Sequence, residues 1–176
     1  MMQSMELTRL CSGEIVLRPI EGRDLDALAA IVMAPGLREW WGFVESEETM
    51  RHDLMSEDED SGAFAIEVDG EIAGWLGVWE EDEPDLRFGG ADIMLAAKYH
   101  GRGIGPRALR MAIDWLIEAR GHHRVTIDPA ADNARAIRAY EKVGFRPVGI
   151  MRQYAKGPDG TWQDALLMDL LAEELE

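Results

Sequence analysis

One cysteine in 176 residues, Cys11, leaves no partner for a disulfide within the chain and no set of thiolates to hold a metal. A reducing, cytoplasmic setting is the expectation. Apolar residues make up 47% of the chain, yet no run approaches the length that crosses a bilayer. The first residues, MMQSMELTRLC, have no hydrophobic signal region. Bases are scarce: 18 Lys and Arg stand against 34 Asp and Glu, for a formal net charge of −16. That balance excludes nucleic acid as the expected partner, because phosphate backbones are bound by positive charge. Internal repeats and low-complexity linkers are missing as well. The acidic run SEDEDSG, 56–62, reads as a solvated loop. What remains is one domain over residues 1–176, long enough to bury a core.

The charge is uneven. Residues 1–96 hold 23 acids and 6 bases, whereas 97–156 hold 5 acids and 12 bases. One part of the surface is set to attract an anion and another a cation.

Periodicity divides the chain. EIVLRPI (14–20) alternates like a strand, and GRDLDALAAIVM (22–33) has helical spacing. SEETMRHDLM (46–55) opens with a capping serine and two acids in its first turn, a helix start. AFAIEV and IAGWLGVW flank Asp69-Gly70, a strong hairpin signal. LRFGGADIML (86–95) is another strand, with a Gly-Gly pair that suggests a bulge. RVTIDP (124–129) reads as a short buried strand. DNARAIRAYEKVGF (132–145) reads as a helix capped by Asp132 or Asn133 and closed by Gly144. RPVGIMRQYA and WQDALLMDLL make two final strands joined by the turn GPDG.

Between 99 and 116 lies YHGRGIGPRALRMAIDWL, with three glycines in five positions ahead of an amphipathic run. The first N–H groups of a helix lack internal partners and carry partial positive charge, so a phosphate suits them. Gly101, Gly103 and Gly105 let that phosphate reach the backbone, and Pro106 suits the first helical position. GIGPRA also fits the dinucleotide fingerprint. A dinucleotide fold, however, begins with strand, glycine turn and helix, and here nearly 100 residues of largely antiparallel pattern come first.

HGRGIG (100–105) and DNARAIRAYEKVGF together resemble the GCN5-related N-acetyltransferases (GNAT) over nearly the whole chain. The first motif resembles that family's acetyl-CoA pyrophosphate loop, with His100 where Gln or Arg is usual. EWWG (39–42), ADIML (91–95) and TIDPAADNARAIRAYEKVGF (126–145) are similar to the aminoglycoside 6′-N-acetyltransferases. The resemblance implies an α/β GNAT fold: a mixed, mostly antiparallel sheet of about seven strands flanked by about four helices, splayed between strands 4 and 5. It implies acetyl-CoA as co-substrate, held by Ile93, Met94, Leu95, Gly101, Arg102, Gly103, Ile104, Gly105, Pro106, Asn133 and Tyr140. One N–H of the 93–95 segment would polarise the thioester carbonyl. It further implies pairing of two copies.

Asp92 stands out from the residues alone, because strand interiors seldom take aspartate. In the resembling enzymes the matching position is the base. Tyr140 would be the acid that protonates the leaving thiolate. Trp41, Asp92, Asp128 and Asp164 would meet a cationic acceptor such as an aminoglycoside, with Trp40, Trp75 and Trp79 as further candidate walls and EEDEPD (80–85) as an acidic rim. His52, His100, His122 and His123 show no metal-ligand company, so no metal is expected. With no Cys–His pair, direct transfer in a ternary complex is favoured over an acetyl-enzyme. The rival functions are acylation of a protein N-terminus, a polyamine or a siderophore amine, and non-catalytic acyl-CoA binding.

Overall fold

The computed structural model describes residues 5–56 and 58–175. Glu57 of the acidic 56–62 run lies outside the described residues. Thirteen regular elements follow in order. The first are β1 (Leu10–Ser12) and β2 (Ile15–Pro19), then helices α1 (Leu25–Val32), α2 (Arg38–Trp41) and α3 (Glu47–Met55). A meander of β3 (Ser61–Val68), β4 (Glu71–Glu81) and β5 (Phe88–Leu95) leads into α4 (Ile104–Glu118) and β6 (Arg124–Ile127). The chain closes with α5 (Ala134–Val143), β7 (Arg146–Lys156) and β8 (Trp162–Leu171).

The strands form one sheet in the order β1-β2-β3-β4-β5-β6-β8-β7, and every pairing is antiparallel except β5 with β6. It has eight strands where about seven were expected, and five helices where about four were expected. The additions are β1, three residues on the edge, and α2, a single turn around the two tryptophans. Both are too short to show a period. The expected splay falls between β5 and β6. These two strands pair only at Gly89 with Val125 and Gly90 with Thr126, and beyond that they part.

Two apolar layers clasp the sheet. On one face α4 buries Ile104, Ala108, Leu109, Ala112, Ile113, Trp115 and Leu116 against Leu17, Phe64, Leu76 and Val125. On the other, Leu28, Val32, Met50 and Leu54 of α1 and α3 pack on Ala63, Ala65, Trp75 and Met94. The helix ends follow their local chemistry. The Ser46 hydroxyl accepts from the Thr49 N–H at 3.1 Å, the Asn133 amide oxygen accepts from the Ala136 N–H at 3.2 Å, and Gly144 ends α5 in the left-handed region.

Gly89-Gly90 is not a bulge. The β4–β5 register runs unbroken through both. The glycines are there for close packing: a Cβ on Gly90 would sit 2.2 Å from the Trp79 indole. Trp79 therefore covers a strand rather than a ligand. Trp75 is also core, with its indole N–H donating to the Leu54 carbonyl at 2.8 Å.

Candidate active site

Where β5 and β6 part, a cleft of about 240 Å³ opens between the start of α4, the start of α5 and the β5 edge. Its form follows from backbone parity. Along a strand, successive residues turn their N–H and C=O groups to opposite sides. Ala96 donates its N–H to Ala73 beside β4, at 2.8 Å. The Leu95 carbonyl instead accepts from His100 Nε2, at 2.7 Å. Ile93 and Leu95 therefore present their backbone to the gap, while Met94, of the other parity, spends its backbone on β4. Of the three expected backbone partners, Met94 lines the cleft with its backbone turned to β4.

The glycine loop closes one end. Gly101 and Gly103 hold φ of +72° and +74°, which side chains with a Cβ rarely adopt, and beyond their chain neighbours nothing described lies within 4 Å of where a Cβ would stand. Gly103 is the N-cap of α4, so Pro106 is the third helical residue rather than the first. It still falls in the first turn, where N–H groups lack internal acceptors. Gly101, Gly103, Gly105 and Pro106 line the cleft. Arg102 and Ile104 do not. The Arg102 guanidinium lies 5.4 Å from the centre of the Tyr99 ring, and Ile104 is core.

His100, at the position where Gln or Arg was expected, braces the loop. Its Nε2 must donate, since its partner is the Leu95 carbonyl, which leaves Nδ1 to accept from Arg135 at 3.2 Å. Arg135 also lines the cleft, and no sequence signal had marked it.

At the other end stand two carboxylates. Asp92 shares its strand face with Met94, which belongs with Trp75 to an apolar cluster that Trp40 and Trp41 pack against. Trp41 meets Trp75 edge-on at 5.0 Å. Both α2 tryptophans line the cleft, as do Asp92, Asp128, Asn133 and Tyr140. The Asp92 carboxylate accepts the Ile93 N–H at 2.8 Å. Asp92 is exposed to the cleft, although protein atoms are dense around its carboxylate. That crowding, with a smaller push from Asp128, raises its pKa to about 6, against the pull of the Ile93 N–H. Asp128 accepts the Tyr154 O–H at 2.7 Å. Burial raises its pKa too, and the tyrosine opposes the shift. Neither carboxylate forms an ion pair among the described residues. Tyr140 is buried, and burial together with the charges of Asp92 and Asp128 pushes its hydroxyl far up, so it keeps its proton.

Three expectations land elsewhere. Asp164 does not line the cleft; its carboxylate accepts the Gln153 N–H at 2.8 Å. No residue of the 80–85 run lines the cleft. Glu80 is buried against Arg120 and His122, and Asp82 pairs with Arg87. His122 therefore does have acidic company, since Glu80, Asp82 and His122 bring donor atoms within 4.8 Å of one another. The Arg120 guanidinium already supplies the cation that Glu80 needs.

A family profile described as "Acetyltransferase (GNAT) domain" matches residues 14–146. The chain is 29% identical to the aminoglycoside N(6′)-acetyltransferase type 1 of Klebsiella pneumoniae, over 85% of this chain and 80% of that protein. It is 26% identical to the spermidine N(1)-acetyltransferase of Escherichia coli, over 88% and 84%. Mycobacterium smegmatis RimJ, solved in complex with CoA-disulfide, superposes with a TM-score of 0.81 at 28% identity, over 92% of this chain and 83% of that one. Among the described residues, no helix is long and apolar enough to cross a membrane.

Proposed function

The chain belongs to the GNAT acetyltransferase family, and on that premise we propose that the amine it acetylates is a small polycation, first of all the 6′-amine of an aminoglycoside. One observation carries this reading. Asp92 and Asp128 face the same cleft and neither is paired with a cation of the chain. Asp128 is partly buried and Asp92 sits in a crowded cleft, and carboxylates so placed without a counter-ion favour a ligand that neutralises them. A second ammonium on the acceptor does that at Asp128 while the first reacts at Asp92. The tryptophans of α2 offer flat walls to sugar rings. The similarity to an aminoglycoside enzyme and to a spermidine enzyme supports a polycation in either form, and spermidine is the alternative acceptor.

Acetyl-CoA supplies a thioester carbon open to attack by an amine. The cleft fits it: a backbone cradle free of Cβ atoms at Gly101 and Gly103, and an apolar throat of Ile93, Leu95, Ala136 and Ala139 beyond it. The N–H groups at the start of α4 are placed for a pyrophosphate. The Leu95 N–H, turned to the gap, is the donor for an acyl oxygen. Asp92 holds the incoming ammonium and takes its proton. Tyr140 gives its hydroxyl proton to the departing thiolate as it takes up the second proton shed by the acylated nitrogen, so that no phenolate is left behind.

The test is thiol release from acetyl-CoA with kanamycin, spermidine and an alanine-ended peptide as acceptors. Kanamycin is expected to turn over with the highest kcat/KM. Turnover of the peptide alone would end the polycation reading.

A further inference from the structure

The cleft does not explain why β7 breaks its register beside it. Met151 pairs with Ala165 and Ala155 with Gln163, so β7 spends three residues, 152–154, where β8 spends only Asp164. Gln153 in the middle holds φ of +50°. Bulges of this kind re-aim a side chain. Here the residue after the left-handed one is Tyr154, half exposed, and its hydroxyl reaches Asp128 at 2.7 Å.

Asp164 holds both sides of that contact. Its carboxylate accepts the Gln153 N–H at 2.8 Å and so fixes the bulge. Its backbone carbonyl accepts the Ala131 N–H at 2.9 Å and so fixes the loop that carries Asp128. The Leu166 N–H adds a bond to the Pro129 carbonyl at 2.9 Å. One residue of β8 thus sets the spacing between Tyr154 and Asp128.

We infer that Tyr154 and Asp164 are positioning residues for the acceptor: the Asp164-held bulge aims the Tyr154 phenol at one oxygen of Asp128, leaving the other for the second ammonium of a polycationic substrate. The inference rests on the reading of Asp128 given above. The groups facing Asp128 are Asp92 on β5, Tyr140 on α5 and Tyr154 on β7, with Arg135 of α5 near Tyr140. Tyr154 is the one that donates to Asp128, and this bond favours the ionised form.

The experiment uses steady-state kinetics of the parent, Asp128→Asn, Tyr154→Phe, Asp164→Ala and Asp164→Asn, with kanamycin and spermidine as acceptors. Tyr154→Phe is expected to raise the acceptor KM about tenfold, as the loss of one hydrogen bond to a charged group implies, with kcat and the KM for acetyl-CoA within twofold of the parent. Its kcat/KM is expected to fall off at higher pH on the acid side, because Asp128 loses a bond that kept it ionised. Asp164→Ala is expected to match Tyr154→Phe, and the double variant to add little. Asp164→Asn keeps an acceptor for Gln153 and is expected to stay near the parent. A KM rise in Asp164→Asn equal to that of Asp164→Ala would make Asp164 a direct charge contact and overturn the inference. So would a Tyr154→Phe enzyme with parental KM and pH profile while Asp128→Asn is impaired. If Asp128→Asn is itself unimpaired, or the parent turns over neither acceptor, the reading beneath fails and the inference falls with it.

Discussion

Asp92 carries two opposite demands in one side chain. The proposed role as base requires it ionised, yet its surroundings raise its pKa from 3.8 to about 6. Two consequences separate a catalytic from a structural role. The parent kcat/KM is expected to drop as pH falls through about 6, while Asp92→Asn shows no such limb and turns over about 10²–10⁴-fold more slowly, the usual range for a lost base. Stability runs the other way. Between the unfolded value and the raised folded value the native chain binds the extra proton, so this group's contribution is full below pH 4 and is lost as pH rises through 6. Asp92→Asn, which keeps an oxygen for the Ile93 N–H, is therefore expected to melt no lower than the parent at pH 7. Its advantage should shrink at pH 4. Thermal melts at the two pH values check this, and a variant that melts well below the parent at pH 7 would make Asp92 structural.

At the scale of elements, the junction of β5, the glycine loop and α4 is the proposed seat of acetyl-CoA. Its strain is separable from its function because the chain carries a built-in control. Gly70, in the β3–β4 hairpin, has φ of +81° with open space where a Cβ would go, and Gly103 has φ of +74° and the same open space. Alanine in the left-handed region costs about 1–2 kcal/mol at either place. Gly103→Ala and Gly70→Ala are thus expected to lose similar stability by thermal melt. Only Gly103→Ala places a methyl group in the phosphate cradle, and by calorimetric titration it alone is expected to bind acetyl-CoA at least tenfold more weakly. Equal affinities in the two variants would remove the loop from cofactor binding.

For the whole molecule, the uneven charge sets how ligands arrive. The chain carries −16 overall, yet the 97–156 segment is basic, and it holds the loop, His100 and Arg135. The end of the cleft proposed for the acceptor is lined by Asp92 and Asp128. On the proposed function, an anionic co-substrate and a cationic acceptor would meet fields of opposite sign in one cleft. The screening length is about 10 Å at 0.1 M salt and about 3 Å at 1 M. Both KM values are expected to rise over that range with kcat little changed. A KM for acetyl-CoA that is indifferent to salt would show that the basic segment plays no part in binding.

What sequence by itself determined is whatever short-range chemistry dictates. The glycine loop ahead of α4, a cap of α5 at Asp132 or Asn133, its close at Gly144, the Asp69-Gly70 turn and the odd aspartate of β5 are all read within a few residues; the structure shows them as local features and selects Asn133 as the cap. What only the tertiary structure decided is everything that depends on which strand lies beside which. The order that inserts β8 between β6 and β7 puts Asp164 behind the cleft instead of in it. The steric fit of Gly90 to Trp79 and the burial of Trp75 under α3 leave Trp40 and Trp41 as the cleft's indole walls. The slip in β7 that brings Tyr154 to Asp128 spans 26 residues of sequence. Periodicity reports which side of its own element a residue takes. It carries no information about the partner across the gap, because that pairing is chosen by the packing of the whole sheet.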